Sequence, residues 1–159
     1  QPASNLTVAE QALHFTADAN FEANFVTAPA TVQGGLGPLF NQSACSSCHI
    51  RNGRAAFPSS SGDLGGLLLR LSIPGPDVHG EPLGIPGFGG QLQTKAVWGV
   101  QPEAKVEMQF VSEVQQFLDG ESVTLRKPVF TLSEPYTPLP INILVSPRIA
   151  PPRVSRARW

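Results

Sequence analysis

The segment NQSACSSCHIRNG, residues 41–53, contains both cysteines of the chain and one of its three histidines. Cys45 and Cys48 are separated by two residues, and His49 directly follows the second cysteine. On a helix this spacing puts the thiols one turn apart, where both can add to the vinyl groups at one edge of a porphyrin while the histidine ligates the iron. The motif predicts one covalently attached haem c, with Cys45 and Cys48 as thioether residues and His49 as proximal ligand.

Other interpretations of the two cysteines stay open from the residues alone. A structural zinc site needs four ligands, so the cysteines would have to recruit His14 and His79. A thioredoxin-like centre places this spacing after a strand, whereas loop and helix signals precede Cys45. A disulfide would close too short a loop to stabilise the chain much, and five residues with three fixed can also match by chance. Haem attachment is favoured because it explains Cys45, Cys48 and His49 together.

The composition indicates a loop-rich chain that needs a stabilising element besides its apolar core. Its 159 residues include 15 glycines and 16 prolines, and 14% of the residues are charged. This suits a single domain with short regular elements, for which a covalent cofactor would supply the extra stabilisation. No apolar run approaches the ~20 residues of a membrane span. Aromatic and basic residues do not interleave in the way that would indicate nucleic-acid binding. The sequence therefore predicts neither a membrane span nor a nucleic-acid partner.

Local patterns predict helices first and strands later. Thr7 and Glu10 match a capping box, and a four-residue apolar period then predicts a helix from about Val8 to Phe25. Pro38 fits the first turn of a second helix that runs into the cysteines. Further on, the segments LLLRLSI, KVEMQF, ESVTLRKPVFTLS and INILVS predict strands, the third of them broken by Pro128.

These patterns predict an α+β fold in one haem c domain. A cytochrome c-like helical haem-binding part is expected over about residues 7–60. A turn-rich antiparallel β region follows over about 64–147. Residues 148–159 form a basic tail, because four of the eleven basic residues fall there without any acid.

The residue on the second side of the iron decides between electron transfer and catalysis. His79, in the segment DVHGEPLG, is the first candidate for the distal ligand, although it also reads as a surface loop residue. His14, in the first helix, is the second candidate. Met108 is the weakest, because it sits on the inward period of a strand, where a core role is expected.

Other side chains are candidates for the haem surroundings. Arg51 and Arg54, just past the motif, are best placed to pair with the haem carboxylates, and Arg70 is a third candidate. Each also reads as an ordinary solvated arginine. Candidate pocket walls are Phe40, Phe57 and Phe88. The acids are scattered, so no carboxylate pair for acid–base catalysis is predicted.

Several motifs resemble one protein family from about Leu13 to Pro152. They are GGLGPLFNQSACSSCHIRNGRA, LLLRLSIPG, PGFGGQLQ, GVQPEAKV, VTLRKPVFTL and SPRIAPP. Together they resemble the N-terminal half of the di-haem oxidoreductases, which are related to di-haem cytochrome c peroxidases. The resemblance implies a bacterial exported protein with haem c on Cys45 and Cys48, and His49 as its proximal ligand.

The chain departs from this family in two respects. Members carry a second C-x-x-C-H motif, in which one haem relays electrons and the other activates peroxide, whereas this sequence has one motif. The two-haem mechanism therefore needs more than this chain. The terminal RVSRARW also differs from the family's glycine- and leucine-rich continuation, and a frameshifted gene would explain it, which the nucleotide sequence would decide.

The favoured function is that of a mono-haem c-type cytochrome carrying single electrons in the bacterial cell envelope. It would be periplasmic or extracellular after signal-peptide removal, with an unidentified redox partner protein. The first alternative is an enzyme, the haem-bearing half of a peroxidase-like oxidoreductase that acts with a partner subunit. The second is a subunit of a haem-containing homo-oligomer or polymer that conducts electrons between neighbours.

Overall fold

The structure is a computed structural model, and it describes residues 2–59 and 64–152. Most of its regular elements are strands. In chain order they are α1 (Val8–Glu22), β1 (Val26–Thr27), β2 (Gly34–Leu36), β3 (Leu39–Phe40), α2 (Cys45–Cys48), a 3-10 turn (Ile50–Asn52), β4 (Leu67–Pro76), β5 (Pro82–Leu83), β6 (Lys95–Ala96), β7 (Lys105–Gln116), β8 (Ser122–Ser133) and β9 (Leu144–Ile149). The segment RVSRARW, on which the frameshift hypothesis rests, lies outside the described residues.

The predicted cytochrome c-like helical haem-binding part is wrong. Within the described ranges there are two α-helices, α1 with 15 residues and α2 with four. Pro38 does not begin a helix but precedes β3, and α2 starts only at Cys45. The physical reason is that Leu39 and Phe40, directly after Pro38, pair with Ala96 and Lys95 of β6, and this pairing requires an extended backbone.

Helix α1 begins as the sequence predicts and ends slightly earlier. The capping box at its start is confirmed, because Thr7 Oγ1 accepts a hydrogen bond from Glu10 N and Thr7 N donates to Glu10 Oε2 at 2.8 Å. The helix ends at Glu22 rather than Phe25, and none of its residues is buried. The apolar stripe is therefore mostly on the surface, with Leu13 69% exposed.

The central sheet has three antiparallel strands in the order β5-β4-β9. Strand β4 pairs with β9 from Leu67 opposite Ile149 to Ser72 opposite Leu144. Successive residues of β4 point to opposite faces, so Leu69 and Leu71 share the face that enters the main core. The remaining buried members of that core are Ile85, Phe88, Leu92 and Ala104. The other face of β4 is left for the site described below.

Strands β7 and β8 form a long two-stranded hairpin. Their register runs from Lys105 opposite Ser133 to Gln116 opposite Ser122. Pro128 does not break β8, because each strand of a two-stranded ribbon has an unpaired edge on which proline is tolerated. Near the base of the hairpin, Met108 packs in a second core cluster. No helix among the described residues has the length and apolar character needed to cross a bilayer.

Candidate functional site

A cavity of about 620 Å³ lies between α2 and one face of the sheet. Its volume is within the range of about 300–1,000 Å³ that is usual for cofactor pockets. Its walls come from the end of α1, the segment 35–45, α2 and the strands around β4. The lining residues are Phe21, Phe25, Gly35, Leu36, Gly37, Leu39, Phe40, Asn41, Gln42, Ser43, Ala44, Cys45, Cys48, His49, Leu68, Gln91 and Gln93.

The motif residues meet at one end of this cavity. Helix α2 is a single turn, closed by a 3.0 Å hydrogen bond from His49 N to Cys45 O, so the two thiols lie at the two ends of this turn. Cys45 is exposed and Cys48 is half-buried, and the two are not joined in a disulfide. Cys45, Cys48 and His49 all line the cavity. The arrangement offers two nucleophilic sulfurs and one imidazole to a molecule bound in the cavity.

The imidazole of His49 is oriented by the far end of the chain. Its Nδ1 lies 2.8 Å from the carbonyl oxygen of Pro151, 102 residues away. A carbonyl oxygen only accepts hydrogen bonds, so this contact requires the proton on Nδ1 and leaves the Nε2 lone pair available to a metal. Metal-binding histidines commonly have such a second hydrogen bond, which fixes the tautomer and the ring orientation.

Backbone contacts join α2 to the sheet. Gly66, just before β4, approaches Cys48 so closely that a Cβ at this position would lie 2.8 Å from Cys48 O. Ala150 N donates to Gly66 O at 3.0 Å, and Ala55 N donates to Ala150 O at 3.3 Å. Hydrogen bonds therefore connect three segments next to α2: the loop after the motif, the start of β4 and the residues after β9.

The wall contributed by Asn41 and Gln93 is polar and held by a hydrogen-bond network. Asn41 Nδ2 donates to Gln93 Oε1 and to Leu92 O, both at 2.9 Å. Behind this wall lies Glu103, which is 5% exposed and is the one buried charged residue within the described ranges. Its Oε2 accepts a hydrogen bond from Gln93 N, and its own N–H donates to Gln93 O at 3.1 Å.

The sequence reasoning missed this wall. A usable signal was the segment QLQ, in which the fully buried Leu92 separates Gln91 and Gln93. The two-residue period puts both amides on the opposite face from the buried leucine. Glu103 carried no local signal, because its burial results from contacts with Gln93, ten residues earlier.

None of the three candidate distal ligands, all of which the structure describes, lines the cavity. His79 is exposed in the turn between β4 and β5. His14 lies on α1, where Nε2 is 3.2 Å from Asp18 Oδ2 without the alignment of a hydrogen bond. Met108 is 1% exposed and packs in the core with Leu64 and Leu67.

The other candidate residues are placed as follows. Phe40 lines the cavity. Phe57 and Phe88 do not, since Phe57 packs against Phe110 and Phe88 against Tyr136. Arg51 and Arg54 are exposed and outside the lining. Arg70 lies on β4. Within residues 2–59 and 64–152 there is no group of three or more side chains of histidine, cysteine, aspartate or glutamate that could hold a metal ion. The zinc interpretation with His14 and His79 therefore lacks its ligand set.

Comparison with known proteins gives one match. The family model described as "Di-haem oxidoreductase, putative peroxidase" matches residues 1–142. That range contains Cys45, Cys48 and His49, the polar wall and every strand up to β8. No curated protein and no solved structure matches the chain at a significant level.

Proposed function

Because the chain belongs to the di-haem oxidoreductase family, we propose that its cavity binds one haem c. Cys45 and Cys48 would form the thioethers and His49 would ligate the iron through Nε2. The observation that carries this proposal is the 2.8 Å contact between His49 Nδ1 and Pro151 O. This contact places the proton on Nδ1 and leaves the Nε2 lone pair available to the iron. The residues fit the cofactor, since the two thiols, the imidazole and apolar side chains such as Phe40 and Leu68 line one cavity of suitable size.

We propose that this site is an oxidoreductase centre whose second axial position is exchangeable. When bound, haem iron supplies one-electron transfer and activation of small oxidants. The described lining contains no histidine other than His49 and no methionine, whereas Asn41 and Gln93 contribute amides. Such a wall suits a small polar ligand, and a peroxide agrees with the family's description.

In this proposal the residues of the polar wall orient the oxidant. The amide of Gln93 would hydrogen-bond its oxygens through Nε2. Asn41 holds that side chain in place, because its two Nδ2 hydrogens go to Gln93 Oε1 and Leu92 O. Hydrogen bonds from Thr94 N to Asn41 Oδ1 and from Gln93 N to Glu103 Oε2 fix the network. Preorganised donors of this kind stabilise negative charge that develops on a reacting oxygen. Reduction of a peroxide to water consumes two electrons and two protons, which a redox partner protein and solvent would supply.

The second candidate function is that of an electron carrier in the bacterial cell envelope. The exposure of Cys45 favours it, because a thioether at this position brings one edge of the haem to the surface. Electrons could then pass directly to a redox partner or to a neighbouring copy. The two functions differ in whether a strong ligand closes the second axial position.

The absorption spectrum of the ferrous protein before and after addition of carbon monoxide separates these functions. A shifted Soret band is expected for the exchangeable site, and hydrogen peroxide turnover would be measured next. An unchanged low-spin spectrum would instead support the electron carrier. A purified protein without any haem spectrum, produced in a host that attaches haem c, would refute both.

Attachment itself is tested by removing one thiol at a time. Cys45→Ala and Cys48→Ala should each lose one thioether, which shifts the pyridine haemochrome band and lowers the yield of covalent haem. Ser47→Ala, in the same helical turn, is the matched control and should keep both thioethers. Equal haem attachment in all three variants would contradict the assignment of the thiols.

A further inference from the structure

Arg70 shares a sheet face with the residues that form one wall of the cavity. Alternate residues of β4 point the same way, so Arg70 is on the face of Leu68, which lines the cavity. Arg70 also pairs with Gln91 in an antiparallel bridge, and directly opposite residues share a face. Gln91 lines the cavity as well. The guanidinium lies against Gly90, where a Cβ would be 3.3 Å from Nη2.

Arg148 is on the same face from the other side. It lies in β9, directly opposite Leu68, while Arg70 is opposite Ser146. Arg70 and Arg148 are therefore diagonal neighbours, for which a separation of about 7–8 Å is usual. The sequence analysis assigned Arg148 to the basic tail, but its register in β9 brings it next to the cavity wall.

Neither guanidinium is neutralised within the described part of the chain. No side-chain hydrogen bond or ion pair joins the guanidinium of Arg70 or Arg148 to another described residue, and no aspartate or glutamate contributes to the described lining. Two like charges at neighbouring positions of one sheet face repel each other. An anion with two separated charges would remove this repulsion, and guanidinium groups match carboxylates particularly well.

We propose that Arg70 and Arg148 bind the two carboxylates of the haem. This inference rests on the function proposed above. The carboxylates of a haem lie at the edge opposite its vinyl groups, and β4 spans the required direction. It starts beside Gly66, in contact with Cys48, and reaches Arg70 four residues later, about 13 Å along a strand. Gly66, next to Cys48, and Arg70 thus mark opposite ends of this stretch of β4, and Arg148 lies between them, opposite Leu68.

This assignment differs from the one that the sequence suggested. Arg51 and Arg54 follow the haem motif in the chain, but neither belongs to the face that contains Leu68 and Gln91. Arg54 is exposed like Arg70 and carries the same charge, which makes it a matched control. Its removal changes the net charge equally without touching the proposed carboxylate site.

The test is the midpoint potential of the haem-loaded protein in four variants: Arg70→Gln, Arg148→Gln, the double variant and Arg54→Gln. A cation at the carboxylates favours the reduced iron, so its loss should lower the potential. We expect each single change at Arg70 or Arg148 to shift the ferric–ferrous equilibrium about tenfold, which is about 59 mV for a one-electron couple. Arg54→Gln should shift it much less.

A lysine replacement separates charge from folding. Arg70→Lys keeps the positive charge, so its potential should stay near that of the unmodified protein even if the glutamine variant is poorly folded. Equal shifts in Arg70→Lys and Arg70→Gln, or a shift in Arg54→Gln as large as theirs, would overturn the inference while leaving haem attachment intact. A wild-type protein without haem would refute the proposed function itself.

Discussion

Replacing Gly66 by alanine would put a methyl group where the backbone of α2 meets the sheet. The new Cβ would lie 2.3 Å from Ala55 Cβ and 2.8 Å from Cys48 O. Carbon atoms in contact are normally about 3.5–4.0 Å apart, so Ala55 or Gly66 has to move by roughly 1.2 Å or more. Neither neighbour is the end of a flexible side chain, and the strain therefore has to be taken up by backbone.

Overpacking of this kind costs about 1–3 kcal/mol of unfolding free energy. For a chain of this size, each kcal/mol changes Tm by about 2–4 °C, so we expect Gly66→Ala to lower Tm by about 2–12 °C. The Cys48 carbonyl is next to His49, so the same shift should also reduce the yield of covalently attached haem. Thermal unfolding of the haem-loaded protein by circular dichroism measures the first effect, and absorbance per mole of purified protein measures the second.

Gly84→Ala is the matched control. A Cβ at Gly84 would have no atom within 4 Å, and the residue does not need a left-handed φ. Alanine there reduces the freedom of the unfolded chain, which stabilises a protein by about 0.4–1 kcal/mol when the site tolerates it. The reasoning about the close approach at Gly66 would be refuted if the two variants had equal Tm values and equal haem content.

Three further changes test other elements. Met108→Ala should lower the unfolding free energy in chemical denaturation by about 2–5 kcal/mol, because the Met108 side chain is fully buried. It should leave the absorption spectrum of the ferrous protein unchanged, and a changed spectrum would instead indicate that Met108 is an iron ligand. Hydrogen bonds from Thr7 lower the pKa of Glu10 below its ordinary value of 4.5, so α1 should lose stability as the pH falls through that lowered pKa. Thermal melts at a series of pH values measure this loss, and Glu10→Gln should not show it. Glu103→Ala leaves Gln93 N unpaired and should lower the unfolding free energy by about 1–3 kcal/mol. Glu103→Gln keeps an acceptor oxygen and should be nearer to wild type in urea unfolding. Equal losses of stability in the two variants would show that the hydrogen bond from Gln93 N is not the cause.

Local patterns predicted those elements that depend on neighbours in sequence. The capping box of Thr7 and Glu10 is satisfied within four residues, and the alternation around Met108 set the faces of β7 correctly. The prediction of a helical haem-binding part was wrong because proline is tolerated both in the first turn of a helix and at the first residue of a strand, so Pro38 does not distinguish them. The pairing of Leu39 and Phe40 with β6, far along the chain, decided between them, and no local pattern reports such a pairing.

The site depends on contacts that span much longer distances along the chain. Leu68 reaches the cavity with Arg148 beside it, and Arg70 is next to Gln91. No periodic pattern reports such pairings, so residue type alone selected His79 and His14 as distal candidates, and sequence proximity selected Arg54. The motif itself was recognisable because its three residues lie within one short segment, Cys45 to His49.

A single helical turn such as α2 has little stability of its own, because nucleation of a helix is costly. The geometry of Cys45, Cys48 and His49 must therefore come from what surrounds them. The close approach of Gly66, the bond from Ala150 N to Gly66 O and the bond from His49 to Pro151 O supply it. All three contacts originate at the ends of β4 and β9. It follows that the β4–β9 pair orients the imidazole of His49, and that the same two strands carry the arginines proposed to bind the haem carboxylates.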